Sequence, residues 1–284
     1  MSARMPIGDR VSRTLRRAWK MAARRATALV SGPRQLPNVV FVLGSGRSGT
    51  RVPLVALERA PETITYTEGH SRVFRGTLLK GDDVVHDLLR TTPFRTVVLK
   101  PICESHRALE FLQRFPNARV IWIFRDYRDA VNSAAKKWTS ALRHVRNLAA
   151  GDLRRAGWRA GGLTQEKLAL VRDWCTPDLT VTGAHGIMWY LRNSLFFELG
   201  LDGRPDVLLV RYEDLVREPE TLFPPLFAFA GSTFEPRFVA HIHDQSVGRH
   251  APPALPERVE RACVEVHAHL LNAYRARQAL QAAG

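Results

Sequence analysis

The chain has 284 residues, 45% of them hydrophobic, and its 42 Lys/Arg against 27 Asp/Glu give a formal net charge of +15. That length and apolar content suffice for one sizeable α/β core, and no low-complexity linker or internal repeat divides it. Three scattered cysteines (Cys103, Cys175, Cys263) lack the spacing of a disulfide framework, a metal site or a redox pair, which points to a reducing compartment. No apolar run approaches the ~18 residues that a spanning helix needs.

Residues 1–36 form a first unit, with nine Lys/Arg against Asp9 alone. Val11, Leu15, Ala18, Trp19, Ala22, Ala26 and Leu29 recur at helical spacing, giving one apolar and one cationic face. Such a helix fits an anionic membrane surface over about residues 1–30, with Trp19 at headgroup depth. An Arg-rich targeting segment or a basic arm without a partner has the same composition. Nucleic acid is not expected as a partner, since no aromatic-interleaved basic platform accompanies the charge. The expected location is the cytoplasm, peripheral on the membrane where the helix binds it.

Residues 37–284 read as one domain. The β-branched run 39–43 predicts a strand, and Gly44-Ser45-Gly46-Arg47-Ser48-Gly49-Thr50 follows it before a helix predicted over 49–59. Glycines let backbone N–H groups turn inward, and a following helix offers its positive end, so this shape suits a phosphate. The nucleoside-triphosphatase version ends Gly-Lys-Ser/Thr, with the hydroxyl on Mg²⁺. Here Thr50 follows Gly49, and the only basic residue inside the loop is Arg47, three positions too early. The loop is therefore built for a phosphate-like anion rather than a Mg²⁺-nucleoside triphosphate. A simple strand-to-helix turn has the same glycine content.

Short strands are predicted near 64–66 and at 96–100, a helix at 105–115, a strand at 119–124 and a helix at 127–138. Asp126 is a candidate N-cap, Arg125 sits at the carboxyl end of its strand, and Ser133 lies about two turns into the helix. In open α/β sheets ligands bind beyond the carboxyl ends of strands, where an Arg fork and a Ser hydroxyl suit a second phosphate. Helical pieces are predicted across 139–182, a long helix at 184–199, a last strand at 207–210, and helices near 217–230 and 257–277. Strands alternating with helices predict a parallel sheet covered on both faces.

These motifs resemble the superfamily of sulfotransferases that use 3′-phosphoadenosine 5′-phosphosulfate (PAPS), in its bacterial form, with loop features of the protein-tyrosine and carbohydrate branches. The resemblance rests on Arg47-Ser48-Gly49-Thr50, on Arg125 and Ser133 eight positions apart, and on the strand leading into Tyr212-Glu213-Asp214-Leu215; it spans about residues 38–275. It implies an α/β, P-loop-type three-layer sandwich, with a central, mostly parallel sheet of about five strands and helices on both faces. It also implies an enzyme that moves the sulfuryl group of PAPS to a hydroxyl or amine by metal-independent in-line displacement, releasing adenosine 3′,5′-bisphosphate. By the same resemblance Gly46, Arg47, Ser48, Gly49, Thr50 and Arg51 surround the 5′-phosphosulfate. Arg125 and Ser133 take the 3′-phosphate, Tyr212 meets the adenine, and Gly248 with Arg249 closes over the 3′-phosphate. Arg51 is a departure, since the family usually carries a hydroxyl residue there.

Arg47 would stabilise the transition state, and Lys100 would face the transferring group. Many members place a His base shortly after the Lys-bearing strand. Ile102 occupies that place here and His106 lies a turn too far, so Glu68 is the expected base, as in the protein-tyrosine and carbohydrate branches, with His70 second. Residues 139–182, carrying Arg143, Arg146, Arg154, Arg155, Trp158, Arg159 and Trp174, are expected as a mobile lid over a carbohydrate or glycolipid acceptor. No metal site is expected, and the sequence does not fix an oligomeric state. Two other readings of the loop stand beside this one: a P-loop kinase or nucleotidase, and a non-catalytic nucleotide-binding protein of the membrane surface.

Overall fold

Strand β1, Asn38–Gly44, lies at the middle of the molecule because every residue from Val39 onward is buried and both its edges are paired. The structure is a computed structural model and describes residues 36–283. The basic segment expected at a membrane surface lies outside these residues, apart from Leu36. Along the chain follow β2 (Thr63–Thr67), the short β3 (Phe74–Arg75) and β4 (Leu78–Leu79), then β5 (Thr96–Lys100), β6 (Ala118–Phe124) and β7 (Val207–Arg211). Five of them form one sheet in the order β2-β5-β1-β6-β7, with all four pairings parallel. β3 and β4 form a separate antiparallel hairpin.

Period-two alternation divides the core into two layers. Val40 and Val42 of β1, with Val98, Ile121 and Ile123, pack against helices Arg51–Leu57, Tyr212–Arg217 and Pro219–Ala230. Phe41 and Leu43, with Val97, Leu99 and Trp122, face the opposite layer. That layer holds helices Asp82–Thr91, Ala108–Arg114, Tyr127–Ala135, Ala141–Ala149, Val181–Asn193 and Glu257–Ala283. Trp122, Phe41, Phe111 and Phe196 are fully enclosed there, and each contributes on the order of 2–3 kcal/mol of burial. The α/β architecture with a parallel five-stranded sheet is thus the one expected from the sequence.

The chain departs from the expected elements where a side chain competes for the backbone. The helix expected over 184–199 stops at Asn193, whose Nδ2 donates back to Trp189 O, and a separate turn Leu195–Glu198 follows. The helix expected from residue 105 is preceded by a 3₁₀ turn, Ile102–Arg107, kinked at Glu104. The hairpin and the helix Asp82–Thr91 were not foreseen. Residues 139–182 are no loose lid: Val145, Leu148, Ala156, Leu168 and Val171 join the core of the sheet. They form a packed wall of the cleft above the strand ends. Among the described residues no helix is long and apolar enough to cross a membrane.

Candidate active site

Because β1 lies between β5 and β6, the chain leaves its carboxyl end toward one side of the sheet and returns on the other, which opens a crevice at that point. The glycine turn fills it. Gly44 carries φ +130, and a Cβ there would meet Ile123 O at 2.2 Å. Gly49 carries φ +80, and a Cβ there would lie 2.0 Å from Tyr212 Cδ2. Only hydrogen at these two positions lets the loop sit flat against β6 and the Tyr212 ring. Ser105 pins the start of the turn: its Oγ accepts from Gly44 N at 3.1 Å and donates to Gly44 O at 2.9 Å. Ser45 and Ser48 hydroxyls join across the loop at 2.6 Å.

Gly49→Ala is accordingly expected to destabilise the protein by about 2–3 kcal/mol, a fall in Tm of roughly 5 °C or more. Gly203→Ala, at a glycine with open space around it, should leave Tm unchanged. A melting comparison of the two checks it.

Arg47 sits in the turn with φ +69, a left-handed conformation that costs a non-glycine residue about 1 kcal/mol and aims the side chain across the crevice. Its Nε donates to Ser133 Oγ at 2.9 Å, and its guanidinium lies 5.9 Å from the centre of the Trp138 ring. Burial, then the nearby Arg125, pulls the Arg47 pKa below its ordinary value. Arg125, at the end of β6, donates through Nη1 to Arg47 O at 3.5 Å and stacks 4.7 Å over the Tyr212 ring. The structure therefore brings Arg47, Arg125, Ser133 and Tyr212 together, although 165 residues of chain separate the first from the last.

The segment around residue 246 packs onto Arg125, Tyr212 and Asp129. Arg125 Nη2 donates to Ser246 O, Tyr212 Oη and Ser246 Oγ are 2.6 Å apart, and Gly248 N donates to Asp129 Oδ2 at 2.9 Å. The Asp129 carboxylate also lies 3.3 Å from Arg125 Nη2. Sequence reasoning missed Asp129 and Ser246, and both act across more than a hundred residues. Arg249 is exposed at the end of that segment, and Arg51 is exposed at the first turn of its helix.

Next to the turn opens a cavity of about 390 Å³, with Ser45 and Gly46 at one end. Lys100, the last residue of β5, and Glu68, just past β2, form an ion pair on its wall, their side chains 12% and 14% exposed. The register Thr67↔Lys100 sets them side by side. The other Glu68 oxygen, Oε1, accepts from Ile102 N at 3.3 Å. His70 stands apart from this wall, edge-on to the Tyr66 ring at 4.8 Å. Much of the remaining wall comes from residues 138–192, including Trp138, His144, Trp158 and Arg159, of which the sequence pointed only to Trp158 and Arg159.

The residues present fit a nucleotide with phosphates at both ends. Arg47, on Ser133 Oγ, and Arg125, on Arg47 O, supply two neighbouring cations, the Gly49 cradle is one that a Cβ would fill, and the buried Arg125 Nε has no hydrogen-bond partner. No family model matches the sequence, and no curated protein matches it either. Among solved structures, the sulfotransferase domain from the curacin biosynthetic pathway superposes with a TM-score of 0.52 at 15% identity, covering 82% of this chain and 99% of that one. The fold is that of a sulfotransferase. The sulfotransferase domain of the Synechococcus PCC 7002 olefin synthase is also matched (TM-score 0.48, 16% identity, 83% and 97% covered). So is a sulfotransferase from Alicyclobacillus acidocaldarius (TM-score 0.47, 17% identity, 86% and 96% covered). In this fold hydrogen bonds join the glycine turn, the β6 end and the segment around residue 246, and the Lys100–Glu68 pair belongs to the cavity beside the turn.

Proposed function

We propose that this protein is a sulfotransferase, taking the sulfuryl group of PAPS to a hydroxyl or amine of an acceptor in the adjoining cavity. The observation that carries the reading is the closure of Arg125 and Ser133 onto Arg47, two anion positions set by separate strands. The backbone of Ser48, Gly49 and Thr50 with Arg47 would hold the 5′-phosphosulfate; Arg125, Ser133 and the 246–249 segment would hold the 3′-phosphate, with Tyr212 against the adenine. Glu68 would take the acceptor proton as the acceptor oxygen bonds to sulfur and the sulfur–oxygen bond to the 5′-phosphate breaks. Arg47 and Lys100 would meet the charge that spreads onto the leaving and equatorial oxygens. A sulfuryl group carries less charge than a phosphoryl group, so cations of the chain suffice for this role. Trp138, in the wall of the cavity, would offer an apolar face to a carbohydrate or glycolipid acceptor. Residues 1–36 would hold the enzyme at an anionic membrane surface in the cytoplasm.

Adenosine 3′,5′-bisphosphate should bind by calorimetry, and Arg125→Ala should weaken it about 30–100-fold, or roughly 2–3 kcal/mol. Because that change strands the buried Asp129, Arg125→Ala combined with Asp129→Asn should recover Tm without recovering affinity. Transfer of ³⁵S from PAPS to a cell extract that persists in EDTA separates this reading from a kinase or nucleotidase, which needs Mg²⁺ to turn over ATP. Binding without any transfer would favour the non-catalytic reading. Failure of the folded protein to bind the bisphosphate at all would overturn the proposal.

A further inference from the structure

The cavity has a second charged end that the transfer chemistry does not use. Arg192, on the helix Val181–Asn193, is 3% exposed and lines the cavity. Its two terminal nitrogens donate to Trp158 O at 2.9 Å and Gly161 O at 3.3 Å, while its buried Nε has no partner. Arg159 lines the same end, half-buried. The two guanidiniums stack on the Trp158 ring, 4.3 Å from its centre for Arg159 and 5.0 Å for Arg192. Neither forms an ion pair with a carboxylate among the described residues. His144 adds a third polar group there, its buried Nδ1 also without a partner.

A buried cation and a half-buried one facing the same cavity without a counter-charge are costly, and proteins seldom hold them so unless something anionic is received there. Burial and the neighbouring Arg159 pull Arg192 down to about 10, which is the mark of that cost. Two peptide carbonyls satisfy Arg192 in part as a clamp on the turn at 158–161, but a clamp does not account for Arg159 or for the orphaned Nε.

Cys103, buried in the cavity wall, has Glu68, Lys100 and Arg192 all near its thiol, so the reacting pair and the buried cation belong to one cavity. Apolar surface from Val131, Ala134, Met188 and Trp189 lines it as well. A volume of about 390 Å³ is at the small end of ligand sites, which run to roughly 300–1,000 Å³, so the enclosed part of the acceptor is compact.

We propose that the acceptor is an acidic molecule: a compact apolar or ring-shaped body with the reacting hydroxyl or amine at Glu68 and a carboxylate or equivalent oxyanion received by Arg159 and Arg192. This rests on the sulfotransferase reading and names the substrate class of the same site. Arg159 selects the acid through the face that it turns to the cavity, and Arg192, held by its two carbonyls, supplies the fixed charge behind it. A neutral analogue of the same shape leaves both cations unmatched and is rejected by that deficit.

The test uses the full chain saturated with adenosine 3′,5′-bisphosphate, so that the donor pocket cannot take up an added anion. Quenching of tryptophan fluorescence by phenylacetate is compared with that by phenylacetamide, and octanoate with octanamide. The acid of each pair is expected to bind at least tenfold more tightly than its amide. Arg159→Gln should remove that preference while leaving the affinity for the amides and for the bisphosphate unchanged. Arg192→Lys, which retains the charge and is the safer change at a buried clamp, should retain the preference. Equal affinities within both pairs, no carboxylate bound below about 10 mM, or a preference that survives Arg159→Gln would each overturn the inference. Bisphosphate binding is read in the same cuvette, so a failure of the acid preference with that binding intact leaves the sulfotransferase reading standing. Loss of bisphosphate binding in the parent protein sinks the reading itself.

Discussion

Arg47→Ala is expected to lower kcat by about 10²–10³-fold, some 3–4 kcal/mol of transition-state stabilisation. Affinity for adenosine 3′,5′-bisphosphate should fall by less than tenfold, since Arg125 and Ser133 remain. The asymmetry follows from geometry. Arg47 is fixed by its Nε bond to Ser133 Oγ and by Trp138 against its guanidinium, so in the proposed reaction its charge would meet the leaving oxygen without reorganisation. A guanidinium stays protonated, so its role is electrostatic and not proton donation. Arg47→Lys retains the charge but loses the Nε contact and the planar fork, and should recover only part of the loss. Alanine at φ +69 keeps the backbone cost of about 1 kcal/mol, so Tm should move little. Single-turnover transfer with ³⁵S-PAPS measures the chemical step apart from product release. A kcat within threefold of the parent would remove Arg47 from the chemistry.

The parallel sheet was legible because a strand buried on both faces must be apolar throughout, and 39–43, 120–124 and 207–210 are such runs. The glycine turn was legible because positive-φ glycines have no substitute there. What the sequence hid are groups whose roles depend on long-range approach. Ser105 is an ordinary serine until β1 brings Gly44 to it, and Asp129 is an ordinary helix acid until Gly248 N and Arg125 converge on it. The helix Asp82–Thr91 was passed over because its buried face is only Val85, Leu88 and Leu89, a short apolar signal in a polar stretch. For the 139–182 segment the residue types were read correctly and their setting was not. Basic and aromatic residues punctuated by glycine suggested a mobile lid, whereas the alternate apolar positions Val145, Leu148, Leu168 and Val171 lock it to the core.

Glu68→Gln is expected to lower kcat by about 10²–10⁴-fold, the usual share of a positioned general base. Affinity for the bisphosphate should stay within twofold. This substitution is discriminating because of the contacts Glu68 makes. A glutamine keeps the size and the oxygen acceptor, so it can still receive Ile102 N and still meet the Lys100 ammonium. A merely structural Glu68 would therefore survive the change with little loss. A base would not, because the amide cannot accept the acceptor's proton at neutral pH. Lys100 constrains the interpretation further. With its partner neutralised, the ammonium gains freedom toward the sulfuryl oxygens, so any rise in affinity for PAPS itself belongs to Lys100. His70, edge-on to Tyr66 and away from the cavity wall, is in no position to replace the lost carboxylate. If Glu68→Gln leaves the rate intact, Glu68 is only the anchor of Lys100.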